Sequence, residues 1–180
     1  GGWTEVFFPG KPRVQPVCAS LFGNLYIWGG FIPGKESSVL TDGLCYQPAS
    51  GQWQVLRAPL TTEGQPLTLT GGASVSYGDT LVICAGGVNR DIFEDAISGR
   101  YKKVCESEYL LQPVEWYHFN DQLLAYDVRL GEWIRIGTPS PMLARAGASL
   151  VLFGEALFYI GGELKPGVRT SDICRISFQE

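Results

Sequence analysis

At 180 residues, the chain is long enough for one medium domain with a real core, and 45% apolar with 18% charged residues describe a globular protein. A net charge of −4 argues against a nucleic-acid or anionic-membrane partner, and no apolar run approaches the roughly 18 residues of a membrane span. A single histidine, His118, and five cysteines without a C-x-x-C pair exclude multi-histidine metal sites and a complete disulfide framework, so neither metal nor cofactor is expected.

In chain order, residues 1–6 lack the basic and apolar regions of a signal peptide, so any export signal lies outside this sequence. Residues 3–8 read as an orphan fourth strand that belongs to some other unit. Residues 17–56 then read as four short strands. Two pair across Gly23-Asn24 and run into Gly29-Gly30, a third lies around Cys45, and a fourth opens on Trp53. Residues 67–137 repeat this order, with Gly78-Asp79, Gly86-Gly87, Ala125 and Trp133 at the matching places. Residues 147–180 repeat it again, incompletely, with Gly154-Glu155, Gly161-Gly162 and Cys174. The middle unit carries an insertion at 88–117, where Ile97, Tyr101, Val104 and Cys105 at helical spacing predict a short helix. Cys45, Ala125 and Cys174 fall at one equivalent position, so these cysteines are expected to pack as small core residues.

Four antiparallel strands per unit, punctuated by Gly-Gly, a tyrosine and a tryptophan, resemble the kelch repeat. The fold class expected is therefore all-β: a partial kelch-type β-propeller with about three blades, an extra strand and a helical insertion. Closed propellers have about four to eight blades. Further blades are thus expected, from the rest of a longer chain (the preferred reading) or from a second copy. The connections 31–42, 88–117 and 163–171 should open onto one face.

That face gathers polar residues. Glu163 and Arg169 lie on a loop stiffened by Pro166, Asn89 and Arg90 follow the second glycine pair, and Arg13, Gln15 and Arg145 precede the first strands of two blades. Arginines around one glutamate in an acidic chain suggest a small anionic ligand, because a guanidinium grips a carboxylate through two parallel hydrogen bonds. On spacing alone, turn residues and inter-blade salt bridges are the preferred explanation.

The string Gly162-Glu-Leu-Lys-Pro-Gly-Val-Arg-Thr170 resembles the G-E-x-K-P-G-x-R-T loop of the bacterial N-acetylneuraminate epimerases, the sialic acid mutarotases. Gly86-Gly-Val-Asn89 with Ile92-Phe93 is similar to the same family. So are Pro9-Gly10 with Pro12-Arg13 and Gln15, and Gly23-Asn-Leu-Tyr26 running into Gly29-Gly30. The resemblance implies a six-bladed propeller that interconverts the α and β anomers of sialic acid, with Glu163 and Arg169 as its catalytic pair. It also implies a periplasmic location, although an odd set of core cysteines would suit the cytoplasm. The match departs from the family in length, since about half the propeller is absent. A non-catalytic propeller that binds an acidic sugar or a protein is the alternative. His118 reads as a packed or rim residue, Glu94-Asp95 as a solvated helix face, and 34–36 as no phosphate loop.

Overall fold

A computed structural model of the chain describes residues 1–34 and 36–178. Lys35, within the segment rejected as a phosphate loop, and residues 179–180, the end of the third expected unit, lie outside the described residues. The first blade consists of β1 (Val17–Leu21), β2 (Asn24–Trp28), β5 (Gly43–Gln47) and β6 (Gln52–Leu56), with the two-residue ribbon β3 (Phe31–Ile32) and β4 (Ser38–Val39) between β2 and β5. The second orders β7 (Ala73–Tyr77), β8 (Leu81–Ala85), β9 (Leu123–Asp127) and β10 (Glu132–Ile136) from inside outward, and its insertion carries α1 (Arg90–Ile97) and α2 (Glu106–Tyr109). The third has three strands, β11 (Ser149–Phe153), β12 (Ala156–Ile160) and β15 (Ile173–Ser177), plus the ribbon β13 (Glu163–Lys165) and β14 (Val168–Arg169). Every ladder is antiparallel, as hairpin connections require.

Two cores alternate with the blades. Val82 and Cys84 of β8 face the first blade, where they meet Tyr26, Trp28 and Cys45; Ile83 and Ala85 face the third, where they meet Leu157, Tyr159 and Cys174. A strand buried on both faces needs an unbroken apolar run, and Leu81–Ala85 supplies it. Cys45, Ala125 and Cys174 are all buried at matching registers, opposite Tyr26, Ile83 and Tyr159. Trp28 is fully buried and its indole donates to Arg57 O at 3.1 Å, so truncating it would cost about 3–5 kcal/mol.

The glycine pairs permit close inter-blade approach. Gly86 has φ +70, and a methyl there would collide with the Tyr159 hydroxyl and the Arg145 carbonyl. The inner strands β1, β7 and β11 stand side by side. Ser74 and Ser76 of β7 donate to the backbone carbonyls of Cys18 and Ser20 in β1. Ahead of these strands, Gln15, Gly71 and Gly147 all adopt left-handed backbone, with φ 55, 72 and 66. They link in series: Gly71 N donates to Gln15 O at 3.0 Å, and Gly147 N to Gly71 O at 2.7 Å.

Three expectations need correction. Residues 3–8 form no strand, because a strand needs a ladder partner and none lies beside them among the described residues. Their path is still that of a segment leaving a fourth strand: Trp53 Nε1 donates to Phe7 O at 3.0 Å, just as Trp133 Nε1 donates to Arg57 O at 2.9 Å. The first hairpin turns on Phe22 and Gly23, both with positive φ, rather than on Gly23-Asn24. The main helix of the insertion is 90–97, not the stretch from Ile97 onward. Asn89 Oδ1 caps it by accepting from Asp91 N and Ile92 N, and Gly99, with φ +70, ends it.

Candidate active site

The three connections converge at one end of the inner strands. The residue directly after each glycine pair points the same way: Phe31 in the first blade, Val88 in the second and Glu163 in the third, all lining one cleft. Phe31 and Glu163 are held alike, by backbone bridges to Val14 and Ala146. A carboxylate thus stands where the other blades carry apolar side chains. The station of Gly71 and Gly147 departs in the same way, since the first blade puts Gln15 there, and Gln15 lines the cleft too.

Glu163 opens the β13–β14 ribbon, which reverses at Pro166-Gly167 with Gly167 at φ +78, where a type II turn takes proline then glycine. This register puts Arg169 opposite Glu163, with its Nε donating to Glu163 Oε1 at 3.4 Å. Arg169 is 83% exposed and Glu163 34%. So loose a pair contributes little to stability and leaves the guanidinium able to swing onto a ligand. Two clefts share Glu163, Gln15 and Ala146. One, of about 360 Å³, is polar and adds Arg169, Thr170, Gly147 and Gly162. The other, of about 190 Å³, is walled by Phe31, Phe93, Tyr109, Tyr117, Phe119 and Pro166, with Asn89 at its edge.

Lys165 fastens the insertion over this second cleft. Its Nζ donates to Leu110 O at 3.0 Å and Gln112 O at 2.6 Å and lies 5.9 Å from the centre of the Tyr117 ring. The Tyr117 hydroxyl donates to Tyr109 O. Burial pushes the Tyr109 hydroxyl up to about 12, with Tyr117 and Tyr101 adding to the effect, so this group keeps its proton at neutral pH.

Of the sequence-predicted residues, Glu163, Arg169, Gln15 and Asn89 line these clefts. Arg13 and Arg145 do not. Arg13 turns into the first blade, where it grips Asp42 through two 2.9 Å bonds and donates to Gly29 O at 3.0 Å. Arg145, 2% exposed, does the equivalent in the third blade, donating to Gly161 O at 3.0 Å and Asp172 O at 2.9 Å above the Tyr159 ring. Both brace a glycine pair against the start of a third strand, which occupies their terminal guanidinium nitrogens. Arg90 faces a separate cleft of about 320 Å³ beside His118 and Asn120, on the other flank of Asn89. His118 is exposed there at φ +45. Glu94 and Asp95 are not a solvated face: Glu94 Oε2 accepts from Val39 N and buried Asp95 Oδ2 from Lys103 N, each at 2.9 Å. The aromatic cleft and the Lys165 anchor went unread in the sequence, although Tyr109, Tyr117 and Phe119 are dense enough to mark a wall.

Known proteins share this sequence and fold. The family model for N-acetylneuraminate epimerase matches residues 1–180. N-acetylneuraminate epimerase from Haemophilus influenzae (strain 86-028NP) is 33% identical over 181 residues, covering 94% of this chain and 46% of the relative. The Yersinia enterocolitica enzyme of the same name is 33% identical over 187 residues, covering 96% and 46%. The solved structure of YjhT superposes with a TM-score of 0.83 at 30% identity, covering 98% of this chain and 53% of that one. The chain therefore spans about half the length of the relatives it matches.

Proposed function

Because the chain belongs to the N-acetylneuraminate epimerase family, we propose that it carries the catalytic carboxylate of a sialic acid mutarotase. The observation that supports this most is Glu163 itself: a carboxylate at a station where Phe31 and Val88 stand in the other blades, beside an exposed guanidinium and on the wall between two clefts.

Mutarotation opens a cyclic hemiketal and closes it on the other face. In this reading Glu163 takes the proton of the anomeric hydroxyl as the ring C–O bond breaks, then hands it to the departing ring oxygen. The C2 carbonyl so formed turns its opposite face, and the same steps run in reverse. Arg169 holds the C1 carboxylate adjoining the anomeric carbon and stabilises the negative charge that develops on oxygen. It cannot act as the acid, because a guanidinium does not give up its proton in this range. The proton returns to where it started, and no cofactor is needed for the balance.

The test is Glu163→Gln, followed by proton NMR of anomer exchange in freshly dissolved crystalline sialic acid. The expected result is loss of about 10²–10⁴ in acceleration, the usual worth of a positioned proton-transfer group, with unfolding unchanged. Undiminished exchange in the variant removes Glu163 from the chemistry. Sugar binding without acceleration by the unaltered chain would favour the non-catalytic reading.

A further inference from the structure

Building on the sialic-acid reading, we propose that the aromatic cleft is a subsite for the acylamino group of the sugar, with Phe31, Phe93, Tyr109 and Tyr117 enclosing the acyl methyl and Asn89 donating to the acyl carbonyl.

Connectivity of the ligand and of the clefts leads to this assignment. The reacting carbon must sit at Glu163, and its carboxylate substituent turns toward Arg169 in the polar cleft. In a nonulosonic acid pyranose, the carbon bearing the acylamino group lies across the ring from the anomeric carbon. A ring anchored at one end by Arg169 therefore directs that group away from the polar cleft, past Glu163 and into its neighbour. At about 190 Å³ the second cleft is too small for the whole sugar and suits an acylamino group with the adjoining ring edge.

Its walls match that cargo. Phe31 and Phe93 meet edge to face at 5.2 Å, and Tyr109 and Tyr117 at 5.6 Å, so the surface offered to a methyl group is packed before binding. Asn89 contributes the polar contact. Its Oδ1 is committed to the helix cap, which fixes the amide orientation and leaves Nδ2 without a partner among the described residues. An amide N–H at the rim of an apolar cleft fits an acyl oxygen. Lys165 holds the insertion, and with it Tyr109 and Tyr117, against the ribbon that bears Glu163.

The experiment is saturation-transfer NMR and affinity measurement on the 180-residue chain. The probes are N-acetylneuraminate and the analogue with hydroxyl in place of its acylamino group. The acyl methyl should receive the strongest saturation of any sugar proton, and the analogue should bind about 10-fold more weakly or worse. Phe93→Ala should collapse that preference toward equality. Asn89→Asp retains the helix cap but lacks the donor, and should shrink the preference even if the Phe93 variant fails to fold. Equal affinity of the unaltered chain for both sugars, or an unsaturated methyl, overturns the subsite and leaves the role of Glu163 standing. If neither sugar binds, the sialic-acid reading falls and the subsite falls with it.

Discussion

Arg13 and Arg169 look alike in sequence, yet the structure gives them opposite duties, and paired alanine substitutions separate the two. Arg13→Ala removes a guanidinium whose side chain is 4% exposed. It strips the buried Gly29 carbonyl of a charged donor, which costs about 2 kcal/mol. It also ends an ion pair with the half-exposed Asp42, worth at most about 1 kcal/mol, and the stacking over Phe8, worth about 0.5 kcal/mol. The total is about 3 kcal/mol. With a urea dependence of about 2 kcal/mol per molar, the unfolding midpoint should fall by about 1.5 M. Arg169→Ala, which gives up one 3.4 Å contact at an 83% exposed side chain, should move it by less than about 0.3 M. Tryptophan fluorescence reports both, since Trp28, Trp53 and Trp133 lie between or beside the blades. If Arg13→Ala unfolds like the unaltered chain but loses affinity for sialic acid, Arg13 is a ligand contact and the assignment is wrong.

Two further outcomes follow from the same packing. Gly86→Ala should lose about 2–4 kcal/mol in urea unfolding, from left-handed backbone plus collision with the Arg145 carbonyl, which is pinned by Gly87 N at 2.8 Å. Gly154→Ala, with a similar φ but open space around it, should lose only about 1 kcal/mol; equal losses would show that crowding between blades is not the cause. A thiol reagent should modify Cys105 first and Cys18 more slowly, because burial of its sulfur raises the Cys18 thiol despite nearby Arg13. Cys45, Cys84 and Cys174 should stay unmodified until denaturant is added, and rapid labelling of any of them would contradict the packed inter-blade cores.

The strands were legible because each obeys local rules: turn glycines with positive φ, apolar runs ending in Gly-Gly, and a tryptophan opening the outer strand. The equivalence of Cys45, Ala125 and Cys174 was legible for the same reason. Where a long side chain turns is not a local property. Arg13 and Arg145 sit at the mouth by backbone position, but whether a guanidinium faces outward or inward depends on Asp42, Gly29, Gly161 and Asp172, which are distant in sequence. A signal was present, since both arginines hold the same station in their blades and both have an aspartate immediately ahead of the third strand. The position of the helix was missed because apolar spacing from Ile97 outweighed the cap at Asn89. The aromatic cleft draws Phe31, Phe93 and Tyr117 from two blades, so no single window of sequence contains it.

The serial links from Gln15 through Gly71 to Gly147 make this rim a continuous arc of peptide groups. Gln15 and Glu163 belong to sectors that the middle blade separates, and both border the polar cleft. A sugar seated there works as a clasp across the arc, resisting any splaying of the outer sectors about the central one. Occupancy should therefore stiffen the whole rim, and slower amide exchange at Gly71, which does not line the cleft, would register it.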